Sequence, residues 1–183
     1  MKPHIKYHLF KLVACVIISV LIFVFREQLV HLDVLKYFIG GLMVAYGLDE
    51  IAFEIYLHKL GFIHENKTYL GLIELVLGVT LLILKLDYEA VCVIWATWSI
   101  VRESYEIKEL VTEIKSVILT IVSGVESIAV IVLSIMLIAE PGEHHALIHL
   151  YLLIFELILT PLVPLLDELI EVKKEKKEEA KEQ

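Results

Sequence analysis

Six apolar stretches, at 9–25, 37–57, 69–86, 90–110, 116–139 and 146–166, occupy most of this chain. Each is long enough to cross a hydrocarbon layer of about 30 Å at about 1.5 Å per helical residue. In 183 residues with 58% apolar content and mean hydropathy +0.79, no water-soluble core could hide all six. The sequence therefore predicts an all-α integral membrane protein with six transmembrane helices. It divides into a short start at 1–8, a membrane domain at 9–166 and a charged tail at 167–183.

The basic residues set an orientation. Lys2, Lys6 and Lys11, then Lys59 and Lys67, then Arg102, Lys108 and Lys115, then Lys173, Lys174, Lys176, Lys177 and Lys181 fall on one side. Only Arg26, Lys36 and Lys85 fall on the other. The positive-inside bias predicts both termini in the cytoplasm, in a cell (inner or plasma) membrane, and an even number of crossings satisfies that count.

Several classes are set aside at this point. A secretory signal is the rival reading of 1–25, but no small-residue cleavage site follows the apolar run, which ends in Phe25-Arg26-Glu27. No basic patch with interleaved aromatics suggests nucleic acid. Cys15 and Cys92 sit at depths in opposite halves of the bilayer and imply neither disulfide nor metal pair. No cofactor is expected. The expected partners are the lipid bilayer and, as an open alternative, further copies of the same chain. The tail from Asp167 alternates Lys and Glu without an apolar stripe, which predicts a solvated extension of the sixth helix.

A repeat underlies the spans. Glu50, Glu103 and Glu156 recur at an interval of 53 in spans two, four and six. Gly71 and Gly124 share that offset, as do Asp87 and Glu140; span one fits only after a shift of several residues. The unit is a two-helix hairpin used three times, and such a repeat should hold its three glutamates at similar depth. Each lies about 15 residues into its helix, about 22 Å down, toward the cytoplasmic half. Glu74 reaches a comparable level, Glu54, Arg102 and Glu106 lie nearby, and Glu126 is deeper.

An isolated charge in a bilayer costs about 2.5–17 kcal/mol, so these groups should face inward. Arg102 is the lone cation of the layer, with Glu50, Glu54 or Glu74 as its expected partner. The remaining carboxyls must be protonated, hydrated or near the interface. Structural pairing, a proton or cation path with Glu50, Glu54, Glu74, Glu103, Glu126 and Glu156 as candidates, and interfacial snorkelling all remain open.

Smaller signals fit a tight bundle. Gly40, Gly41, Gly47, Gly71 and Gly78 permit close helix approach. Thr120, Ser123, Ser127 and Ser134 share one partly polar face of span five, read first as a packing seam. Pro161 and Pro164 should kink or loosen span six just after Glu156. Trp95, Trp98 and Arg102 run down one side of span four, as a packing group with Trp95 as a candidate interface marker. All eight histidines are expected outside the apolar centres. His145 and His149, with Glu143 and Glu140 beside them, are read as solvated interface residues, a pH-responsive cluster or a metal pair. No catalytic order or phosphate-cradling loop occurs, so no enzyme activity is expected.

The segments 37–47 (YFIGGLMVAYG), 69–78 (YLGLIELVLG) and 121–128 (IVSGVESI), with Ala139-Glu140-Pro141 and Phe155-Glu156-Leu157-Ile158, resemble the HdeD family of six-span membrane proteins. The resemblance covers 9 to about 166 and departs in the extra carboxylates and the Arg within the spans. It implies a link to acid resistance or envelope stress and carries over no catalytic residue. The leading expectation is a non-enzymatic protein whose carboxyls respond to or conduct protons. The alternatives are a small-solute or metal-ion transporter with an outer histidine site, and an assembly protein whose carboxylates only pair helices.

Overall fold

The computed structural model describes residues 3–59, 68–112, 114 and 116–182. These form α1 (Pro3–Leu29), α2 (Leu32–Lys59), α3 (Thr68–Ile83), α4 (Tyr88–Thr112), α5 (Val117–Ala139) and α6 (Glu143–Glu182). Lys2, His64, Lys67 and Lys115 lie outside the described residues, as do the side chains of His4, His58 and 174–182. Among the described residues there is no strand.

Local chemistry places the breaks. Pro3 opens α1, where a missing N–H breaks no helical hydrogen bond. Between α1 and α2 the His31 carbonyl accepts the N–H groups of Val34 (3.0 Å) and Leu35 (2.8 Å), restarting the helix at once. Asp87 starts α4, its carboxylate accepting the Ala90 N–H at 2.8 Å. Pro141 and Gly142 separate α5 from α6, and Glu143 puts a negative charge into the first turn of α6. Ser116, the N-cap of α5, donates its own N–H to Asp167 of α6 at 3.0 Å. Thus α6, past its two prolines, holds the start of α5.

The prolines do not break α6. Pro161 and Pro164 sit within one helix of 40 residues that continues into the charged tail. One turn earlier, the Thr160 hydroxyl donates to the Glu156 carbonyl at 2.9 Å.

Among the described residues three helices are long and apolar enough to cross a membrane: Ile5–Leu29, Val117–Ala139 and Glu143–Ile170. Thr68–Ile83 is apolar but shorter. The helices α2 and α4, at 28 and 25 residues, have the length but carry charges along their faces. The fold is all-helical and compatible with a membrane protein.

Each helix packs on its neighbours in the chain, and α6 packs on α1, so the helices close a ring. The heaviest contacts are α2 with α3, α4 with α5, and α1 with α6. A third hairpin is thus completed between the two ends of the chain, without a covalent turn. Span one, which fits the repeat only after a shift, takes the place in this pairing that α3 and α5 take in theirs. Buried Cys15, Ser19 and Ile22 on α1 follow the intervals of four and three found for Glu74, Gly78 and Leu81 on α3.

The α2–α3 seam has backbone on backbone. A Cβ added to Gly47 would lie 2.5 Å from the Gly71 carbonyl oxygen, and one on Gly71 would lie 2.8 Å from that of Gly47. Gly40 and Gly78 meet in the same reciprocal way, at 3.1 and 2.7 Å. Gly41 does not belong to the seam, because a Cβ there meets nothing within 4 Å.

The distribution of polarity is inverted relative to a soluble protein. Phe10 (75% exposed), Val76 (65%) and Val125 (64%) face outward, while Glu74, Arg102, Glu103 and Glu156 are all 2% exposed or less. Such a surface suits lipid, and the interior gathers the charged groups that lipid would not accommodate.

Gly47→Ala should lower the melting temperature in detergent micelles, since overpacking costs about 1–3 kcal/mol. Gly41→Ala should leave it unchanged. Equal effects at both positions would refute the seam.

Candidate functional site

Arg102 stands at the centre of the ring, 2% exposed, held by residues of four helices. Its Nη1 lies 3.0 Å from Glu74 Oε1 on α3, and its Nη2 lies 3.1 Å from Glu106 Oε1 one turn along α4. Its Nε lies 3.4 Å from Glu156 Oε1 on α6. The guanidinium also lies over the Tyr46 ring of α2, 3.7 Å from the centroid. Trp98, one turn before Arg102, donates its indole N–H to the same Glu74 oxygen at 3.0 Å. A planar fork of N–H donors suits three carboxylates arriving from different directions, which an ammonium could not match.

The sequence pointed to Glu50, Glu54 or Glu74 as the partner of Arg102, and the structure pairs it with Glu74 and adds Glu106 and Glu156. Helical geometry explains Glu106, which stands four residues on and so shares a face with Arg102. The approach of Glu156 depends on the α4–α6 placement, which no local pattern encodes.

The three glutamates of the repeat all point inward: Glu50 at 9%, Glu103 at 1% and Glu156 at 2% exposed. Their surroundings differ. Glu156 joins Arg102, while Glu50 lies beside Gly71 on the α2–α3 seam, close enough to act on Glu74. Glu103 has neither oxygen in a hydrogen bond, and the buried Ser127 hydroxyl of α5 lies beside it without the alignment of one. Glu126, 9% exposed, stands in the same neighbourhood as Glu103 and Glu106. Glu54 is half-buried one turn past Glu50. The position before Glu50 carries a separate contact: Asp49 accepts the Tyr7 hydroxyl at 2.8 Å and pairs with Lys11 at 2.6 Å, joining α1 to α2.

The histidine positions required correction. His149 is not an interface residue; it is 1% exposed, with Nε2 2.9 Å from the Ser134 hydroxyl and its ring 4.6 Å from that of Trp95. Because α6 already begins at Glu143, His149 lies about two turns inside the helix. His145 remains near the surface, with Nδ1 3.0 Å from the Glu140 carbonyl oxygen, and Glu143 turns to His31 at 3.2 Å. His145, His149 and Glu143 therefore diverge, and among the described residues no group of three or more His, Cys, Asp or Glu is arranged to hold a metal ion. Trp95 is likewise fully buried rather than at an interface.

Sequence reasoning missed the Tyr46 ring under Arg102, although Tyr46 stands four residues before Glu50, on the same helical face. It also missed Ser127 as the neighbour of Glu103.

No family model matches this chain, no curated protein matches it, and no solved structure matches it.

Arg102→Ala leaves three carboxylates without their cation, and breaking such a buried pair costs about 3–5 kcal/mol. The variant should lose most of its thermal stability in detergent, and adding Glu74→Gln should restore part of it. A melting temperature equal to that of the wild type would show that Arg102 does not hold the helices.

Proposed function

We propose that this chain is a six-crossing, non-enzymatic membrane protein in which the buried carboxyl layer exchanges protons, responding to or conducting them under acid or envelope stress. The observation that carries the reading is Glu103. It is buried, its oxygens lack hydrogen bonds, and its side chain is not among the partners of Arg102. A permanent anion there would cost several kcal/mol of desolvation, which the nearby Arg102 charge and the Ser127 hydroxyl offset only in part. A group in that position takes and releases a proton as its surroundings change. Glu126 and Ser127 beside it supply a place for that proton to go.

The six crossings with both termini cytoplasmic are supported by the asymmetry of the basic residues and by the outward apolar faces of α3, where Val76 is 65% exposed. In that arrangement the tail of α6 projects into the cytoplasm. The link to acid or envelope stress rests on the resemblance to HdeD-like proteins in the segments quoted above. The pairing of Glu74, Glu106 and Glu156 with Arg102 favours a second reading, in which the layer serves assembly alone.

Reconstituted protein should acidify vesicles loaded with a pH-sensitive dye when an inward proton gradient is imposed. Glu103→Gln should lower that rate by about tenfold or more, the scale on which a positioned proton-transfer group acts. Unchanged flux in Glu103→Gln would leave the assembly reading.

Both native cysteines are buried, so a cysteine added near residue 180 would report topology against a low background. A membrane-impermeant maleimide should label it only from the cytoplasmic face, and labelling of intact cells from outside would reverse the orientation.

A further inference from the structure

A second buried polar group lies outside the carboxyl layer. His149 uses one ring nitrogen on Ser134, while its Nδ1 has no hydrogen-bond partner. The indole N–H of Trp95, against which the ring lies, has none either. An unsatisfied buried polar group costs about 1–3 kcal/mol, and a phenylalanine at either position would avoid that cost.

The register of this group is informative. On α6, His145, His149 and Glu156 follow at intervals of four and seven, so they descend one face in steps of about 6 and 10 Å. The same interval of seven separates Trp95 from Arg102 on α4 and Ser134 from Ser127 on α5. Three helices thus carry two polar layers, two turns apart, inside one ring. Between them Leu153, 1% exposed, interrupts the face of α6. Buried hydroxyls lie along this stretch: Ser19 of α1 reaches the Ile154 carbonyl, next to Leu153, at 3.5 Å, Ser99 stands between Trp95 and Arg102 on α4, and Tyr46 of α2 lies on Arg102 itself.

We propose that His149 is the outer relay of a proton route whose inner station is the Arg102–Glu103 carboxyl layer, with Leu153 as the dry gap between them. The inference rests on the proton-exchanging reading of that layer. One proton arriving from the His145 side binds one ring nitrogen, and one leaves the other nitrogen toward the layer. Loss of the second proton leaves a neutral ring in the other tautomer, and return to the first tautomer readies it for the next proton, so no charge is left behind. The groups facing the ring do not fix its charge: α4 presents Trp95 and α5 presents Ser134, while Ser19 of α1 bonds to Ile154, five residues further along α6. The ionisable groups flanking it along α6 are His145 and Glu156. A step of about 10 Å requires a transient water file, which the hydroxyls of Ser19, Ser99 and Tyr46 can hold and Leu153 interrupts.

The full chain in dye-loaded liposomes tests this. His149→Phe should lower proton flux about tenfold or more, on the scale of a lost proton-transfer group. Leu153→Ala should raise flux several-fold, and the double variant should fall back to the His149→Phe rate. If His149→Phe does not assemble, His149→Gln takes its place, since glutamine keeps a polar contact to Ser134 but cannot relay at these rates. Wild-type flux in the His149 variant, with flux lost in Glu103→Gln, overturns the relay and leaves the layer intact. An unchanged rate in Leu153→Ala, or a double variant as fast as Leu153→Ala alone, also overturns it. Absence of flux in the wild type removes both readings.

Discussion

The interior of the ring is organised around one guanidinium. Arg102 touches carboxylates of α3, α4 and α6 and lies on an aromatic ring of α2, so a single side chain relates four of the six helices. In a bilayer, hydrophobic burial would not drive these helices together, because a lipid tail is as apolar as a leucine. What separates the associated state from dispersed helices is the cost of leaving such a charge unpaired. The close α2–α3 seam and the outward apolar faces are arranged about that requirement.

The same arrangement divides the acidic groups by role. Glu74, Glu106 and Glu156 share one positive charge, which brings helices together. Glu103 and Glu126 stand nearby without such a pairing. Equal spacing in the repeat therefore does not give equal chemistry. Glu50, Glu103 and Glu156 inherit a position, and their neighbours decide what each does there. The arginine at 102 has no counterpart one repeat away, where Asp49 and Phe155 stand, so the layer is not threefold in its charges.

Much of this was legible in the sequence because periodicity and hydropathy are local. The exits near Asp87 and Pro141 were readable, though α1 begins at Pro3, within the segment 1–8 that hydropathy sets apart from the first span, and the inward direction of the glutamates follows from the cost of exposing them to lipid. The seam glycines were visible, but Gly41 could not be separated from Gly40 without the rotation of α2 against α3. His149 was misplaced because its composition looks interfacial, and only the early start of α6 and the facing Ser134 draw it inside. The partners of Arg102 on other helices, Glu156 and Tyr46, depend on tertiary placement that spacing along one chain does not carry.

The pairing of α1 with α6 has a consequence for biogenesis. During synthesis α1 emerges long before its mate exists, whereas α2 and α3 can zip together as soon as both are made. If the helices enter a bilayer in turn, a helix that waits alone has to tolerate solitude, and α1 is the most apolar of the three candidate spans, with hydropathy 2.6. Its few polar atoms, such as the Ser19 hydroxyl, can turn back on their own backbone until α6 arrives. The closing step of maturation is then a docking between the chain's first and sixth helices, and a ribosome stalled before α6 would leave an open horseshoe with its acidic lining bared.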